Sequence, residues 1–205
     1  MTVVTHPLLQ CALTRLRDAR TGLTEFRRVL TEATLLLAYE ATRSLATRPV
    51  KVRTPLAAAR GVAVRSEVLL IPVLRAGLGM LPAMQQLLPD ARVGFLGLRR
   101  NEKTFAAAAY FENLLENLRP FEVIVLDPML STGGSAVMAL DRLVARGARR
   151  VRLLHLIAAP EGIRHVRARH PGVPIFVAAI DRKLDARARI LPGLGDAGDR
   201  LCGSA

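Results

Sequence analysis

Apolar residues change their period several times along the chain, and each change marks an element. From Thr24 to Leu45 they recur every three or four positions, as Phe26, Leu30, Ala33, Leu37, Ala41 and Leu45. That spacing places them on one stripe of a long helix. Thr24 is the expected N-cap, Glu25 sits in the first turn where an acid is favoured, and Pro49 is the expected stop. Val68–Val73 is a continuous apolar run, the pattern of a strand covered on both faces. Leu74–Met80 reads as a Gly-containing turn, Leu81–Leu88 as a helix stopped by Pro89, and Arg92–Leu98 as a second strand. Asn101–Pro120 has no strong period.

The second half repeats the alternation. Phe121–Leu126 is a third buried strand and Asp127–Ser135 a loop. Ala136–Arg146 reads as a helix with Val137, Leu140, Leu143 and Val144 on one side and Gly147 after its end. Val151–Ala159 is a strand, Glu161–Arg169 a helix closed by His170-Pro171-Gly172, and Ile175–Ile180 a fifth strand. Strands and helices alternating at this spacing predict an α/β fold with a mostly parallel central sheet flanked by helices. The N-terminal helix and an extra arm around residues 101–120 are additions to it. The expectation is one domain, residues 1–205.

Composition narrows the function. Half of the 205 residues are hydrophobic, which supports a sizeable core and excludes disorder. The net charge is +13, but the arginines are scattered, without a basic tail and with few aromatics among them. This argues against nucleic acid as a partner and fits a solvated basic surface or small anionic substrates. Cys11 and Cys202 have no paired spacing, so neither a zinc site nor a disulfide framework is expected. No signal peptide or membrane span is expected, and a cytoplasmic protein is the default. His155, His165 and His170 have the spacing of packing or surface groups rather than metal ligands.

The chemistry concentrates in Asp127-Pro128-Met129-Leu130-Ser131-Thr132-Gly133-Gly134-Ser135, between a buried strand and a helix. Two glycines let backbone approach a ligand, Thr132 and Ser135 supply hydroxyls, and the helix start supplies free N–H groups. That is a phosphate site at the carboxyl end of a strand. Asp127 cannot serve a phosphate and is placed to accept hydrogen bonds from sugar hydroxyls. Two arginines follow neighbouring strands, Arg75 in Arg75-Ala76-Gly77-Leu78-Gly79 and Arg100 in Arg100-Asn101-Glu102. Gly193-Leu194-Gly195-Asp196-Ala197-Gly198 matches a dinucleotide fingerprint formally, yet too few residues follow for the helix and strand that the fingerprint requires. It reads better as a tight loop facing a small planar ligand. No Walker-type lysine motif occurs.

The loop 127–135 resembles the donor loop of the type I phosphoribosyltransferases, and is most similar to its uracil-specific branch, in which Pro-Met follows a single acid. The resemblance covers nearly the whole chain. It implies transfer of the phosphoribosyl group from 5-phospho-α-D-ribose 1-diphosphate to uracil, giving UMP and diphosphate. It implies donor contacts from Arg75, Arg100 and residues 127–135, and uracil contacts from Ile190, Gly195, Asp196 and Ala197, with Asp196 also near the donor and its metal. Mg²⁺ held mainly through the diphosphate, GTP as an allosteric activator in some members, and a homodimer or tetramer are further implications. The chain departs from the family pattern at several positions: Arg189 for Tyr, Ala188 for Gly, Lys103 for an acid, Ala106–Ala109 for a Pro-containing stretch, and Ser131 for Ala. Most lie near the acceptor side. The alternatives are an enzyme for another base, and a weakly active paralogue acting as a nucleotide-responsive or RNA-binding regulator.

Overall fold

The computed structural model describes residues 1–100 and 107–204. In chain order the elements are β1 (Thr2–Val3), α1 (Pro7–Arg17), α2 (Leu23–Thr42), β2 (Thr47–Arg53), β3 (Ala58–Val64), β4 (Val68–Leu74), α3 (Leu81–Leu87), β5 (Arg92–Val93), β6 (Phe95–Arg100) and β7 (Ala107–Asn113). The second half holds β8 (Glu122–Leu126), β9 (Met129–Leu130), α4 (Gly134–Ala145), β10 (Arg150–Ala158), α5 (Pro160–Arg169), β11 (Ile175–Ile180), β12 (Lys183–Leu184), β13 (Ile190–Leu191) and α6 (Ala197–Cys202).

The central sheet runs β1-β11-β10-β8-β4-β6-β7, parallel except for the β6–β7 pair. The apolar runs explain why. Along β4, Leu70 packs with α1 and α2 on one face, while Leu69, Ile71 and Val73 pack with α4 on the other. Along β8, Ile124 and Leu126 join the first core and Val123 and Val125 the second. Alternate residues thus need cover on both sides, and helices supply it.

The strand order positions the site. From β4 the chain moves outward to β6 and β7, then returns to β8 on the other side of β4 and proceeds through β10 to β11. The carboxyl ends of β4 and β8 lie side by side, with Pro72 opposite Leu126, at the point where the order reverses. A crevice opens at such a switch point. Gly77 keeps the two ends close: a Cβ there would stand 2.3 Å from the Leu126 carbonyl oxygen.

Several expectations need correcting. Helix α2 starts at Leu23 with Gly22 as N-cap, so Thr24 lies inside it; the helix ends at Thr42, and Pro49 belongs to β2. Val144 is half exposed, and α4 buries Ala136, Val137, Ala139, Leu140 and Leu143 instead. The sequence reading missed α1, which has His6 as cap, Pro7 at its start and Leu9, Ala12, Leu13 and Leu16 buried. It missed the β2–β3 hairpin too. The arm around 101–120 contributes β7, antiparallel to β6; residues 101–106 lie outside the described part. Among the described residues no helix is long and apolar enough to cross a membrane.

Candidate active site

A cleft of about 780 Å³ lies over the carboxyl ends of β4 and β8. One wall is the loop after β8. Gly133 caps α4 in the left-handed region, φ 83°, and a Cβ there would stand 2.8 Å from the Gly162 carbonyl oxygen. A side chain at 133 would be both strained and blocked. The turn aims the first amides of the twelve-residue α4, with the positive end of its dipole, toward the cleft. Met129, Leu130, Ser131, Thr132, Gly133 and Ser135 line it, whereas Pro128 and Gly134 are not among its lining residues. The Thr132 hydroxyl accepts from the Gly134 N–H at 3.4 Å. This wall can hold a phosphate.

Asp127 stands at the base of the same wall. Its carboxylate accepts one hydrogen bond, from the Met129 N–H at 3.3 Å. Burial pushes its carboxyl up to about 7; the Met129 bond opposes that rise and the negative charge of Asp196 adds to it. The backbone of Asp127 is fixed from below. Its N–H donates to the Leu154 carbonyl at 3.2 Å, and its own carbonyl lies 2.7 Å from His155 Nδ1. His155 is fully buried, and desolvation lowers its pKa to about 4. It is therefore a neutral donor that packs, in line with the sequence reading.

Arg75 follows β4 across a cis peptide and lines the cleft. Its guanidinium pairs with Asp199 of α6 at 2.7 Å and lies 3.4 Å from the Ser204 hydroxyl. Arg75 is half exposed in this pair, so the pair is weak and can be exchanged for another anion. Arg100 is the last residue of β6 and its side chain lies outside the described part. Its neighbour Arg99, which the sequence reading passed over, lines the cleft. Tyr110, also missed, lines the cleft from β7 and lies against Gly97, where a Cβ would stand 2.7 Å from the ring.

The opposite wall is built from β13 and the loop leading into α6. Ile190, Gly195 and Asp196 line the cleft, and Ala197 is buried behind them. The Leu191–Pro192 peptide is cis, and Gly193 and Gly195 have φ 69° and 79°. Buried Asp181 holds this path in place. It pairs with Arg17 at 2.5 and 2.8 Å and accepts from the Gly193 N–H at 2.9 Å, while Arg17 also donates to the Gly193 carbonyl at 2.7 Å. Arg200 donates to the Leu194 carbonyl at 2.8 Å, to the Leu16 carbonyl, and to the Asp18 carbonyl at 2.8 Å. Asp196 caps α6 by accepting from the Asp199 N–H at 2.9 Å. This wall turns backbone and one carboxylate toward the cleft, which suits a flat polar ligand.

The comparisons decide the family. The model of uracil phosphoribosyltransferase matches residues 3–204. The chain belongs to the uracil phosphoribosyltransferase family. It is 49% identical over 203 residues to the uracil phosphoribosyltransferase of Dictyoglomus thermophilum, covering 98% of each chain. It is 51% identical over 207 residues to that of Kineococcus radiotolerans, covering 99% of this chain and 98% of the other. Among solved structures, the AQ2163 protein of Aquifex aeolicus superimposes with a TM-score of 0.94 at 37% identity, over 98% of this chain and 96% of that one. A purine phosphoribosyltransferase from Pyrococcus horikoshii, at 14% identity and a TM-score of 0.53 over 75% of this chain and 84% of that one, shares the fold. Of the departures noted in the sequence, Ser131, Ala188 and Arg189 all line the cleft.

Proposed function

We propose that this chain transfers the 5-phosphoribosyl group of 5-phospho-α-D-ribose 1-diphosphate to uracil, forming UMP and releasing diphosphate. The observation that carries the reading is a single cleft with a phosphate-type loop on one wall and a backbone-lined slot on the other. Two substrates can meet there.

Each residue then has a task. The α4 amides and the Thr132 and Ser135 hydroxyls grip the 5-phosphate. Asp127 accepts hydrogen bonds from the ribose hydroxyls and fixes the ring. Arg75, exchanging Asp199 for the donor, and Arg100 neutralise the leaving diphosphate as positive charge builds on the ribose. Ile190, Gly195 and Ala197 hold uracil through backbone groups, with Asp196 beside them. Catalysis is mainly positioning and electrostatics.

Among the described residues no three His, Cys, Asp or Glu side chains converge into a metal cage. Mg²⁺ keeps waters and substrate phosphates as ligands, so the single carboxylate of Asp196 at the cleft suits an ion held mainly through the diphosphate. It supplies charge neutralisation on the leaving group when bound. GTP activation, a homodimeric or tetrameric state and a cytoplasmic location are part of the same proposal. The cleft position of Arg189 favours a second reading, in which another base is accepted.

A panel of labelled bases incubated with the donor, with and without Mg²⁺ and GTP, tests the assignment. Uracil is expected to give a labelled nucleotide. A nucleotide from a different base alone overturns uracil as the acceptor.

A further inference from the structure

Two departures from the family pattern touch each other. Ser131, on the donor wall, donates its hydroxyl to the Ala188 carbonyl at 2.6 Å. Ala188 has φ 55°, and it is the one non-glycine residue with positive φ among the described residues. A side chain in that region is strained, so neighbouring contacts must hold it there. The loop's own bonds show how. The Asp185 carboxylate accepts from the Arg187 N–H at 2.9 Å and the Arg189 N–H at 2.8 Å. Asp185 N–H donates to the Arg189 carbonyl at 2.8 Å, and Ala188 N–H to the Asp185 carbonyl at 2.9 Å. These bonds close the loop on itself. The bond from Ser131 comes from elsewhere and fixes the closed loop to the donor wall. Ile190, the first residue of the base wall, lies two positions beyond.

We propose that Ser131 is a positioning residue for the acceptor: its hydroxyl ties the loop 185–189 to the donor wall and so sets the place of Ile190 and Arg189 at the base slot. Serine at 131 and alanine at 188 act together in this chain. The hydroxyl is engaged on the neighbouring loop, so its loss acts first on the acceptor side of the cleft. The inference rests on the reading of Ile190–Ala197 as the base wall.

Ser131→Ala is the test, read three ways. The KM for uracil should rise roughly 2- to 12-fold, the fold-change that corresponds to one net hydrogen bond, and by more than the donor KM does. Limited trypsin digestion should cut faster after the exposed Arg187 and Arg189, with the melting temperature of the whole protein close to wild type. Ser131→Thr, which keeps the hydroxyl, should restore both values toward wild type. Should S131A be insoluble, Ser131→Cys, nearly the same shape with a weaker donor, carries the same measurements. An unchanged uracil KM, or a rise confined to the donor KM, overturns the proposal. If the wild type shows no turnover with uracil, the proposed function falls, and unchanged cleavage in S131A would then overturn the tie by itself.

Discussion

Asp127→Asn exchanges a carboxyl group for an amide of the same shape. It keeps the oxygen that accepts from the Met129 N–H and removes only the charge. In the folded protein burial raises the Asp127 carboxyl from 3.8 to about 7. The protonated form therefore folds better than the ionised one. What this group contributes to stability is complete below pH 3.8 and is lost as pH rises through about 7. A rise of this size corresponds to about 4 kcal/mol at about 1.36 kcal/mol per pKa unit. The cleft is open to water, which halves the figure to about 2 kcal/mol. For a chain of this length that is a Tm higher by about 4–8 °C for D127N at pH 9. Toward pH 5 the gap should narrow, and it closes only below pH 3.8, where the side chain is neutral in the unfolded chain as well. Turnover should move the other way and fall about 100-fold, since the ribose loses its charged acceptor. Thermal melts from pH 5 to 9, beside an assay of diphosphate release, read both effects. A D127N protein less stable than wild type at pH 9, a stability gap that ignores pH, or turnover within about threefold of wild type would refute the reasoning.

Other predictions follow from the same geometry. In wild type, kcat/KM for the donor should rise with pH through about 7 as Asp127 ionises, and D127N should flatten that limb in a pH–rate profile. Arg75→Ala should lower kcat/KM about 100-fold, and Arg75→Lys should recover little of it because the planar fork is lost; steady-state kinetics decide. Gly133→Ala meets both a positive φ and the Gly162 carbonyl, so donor binding measured by calorimetry should be lost. Arg17→Ala leaves Asp181 buried beside Gly193 without its cation, and should cost about 3 kcal/mol in a denaturant melt.

What could be read from the sequence follows from where each signal resides. Val68–Val73 and Phe121–Leu126 announce themselves because strands covered on both faces need an unbroken apolar run. The β2–β3 hairpin gives no such signal, since it stands off the core: Leu56 at its tip is 97% exposed and Val62 71%. Without a buried face there is no binary pattern to find. Helix α1 carries a signal in Pro7 at its first position and a stripe from Leu9 to Leu16, although no acid marks its first turn. The donor loop was legible because its glycines, hydroxyls and acid are consecutive. The partners that shape the other wall were not. Arg17 and Asp181 are 164 positions apart, Arg75 and Asp199 are 124 apart, and Ser131 and Ala188 are 57 apart. Nothing local in one member of these pairs names the other. Taken alone, Ser131 was only a small change of side chain; beside a strained Ala188 it becomes a tether.

The central claim is that both walls of one cleft serve a single transfer. Purified protein with 5-phospho-α-D-ribose 1-diphosphate, uracil and Mg²⁺ should release diphosphate and form UMP in equal amounts, with release dependent on uracil. Diphosphate released at the same rate without uracil, or no UMP formed at any donor concentration, would contradict the account.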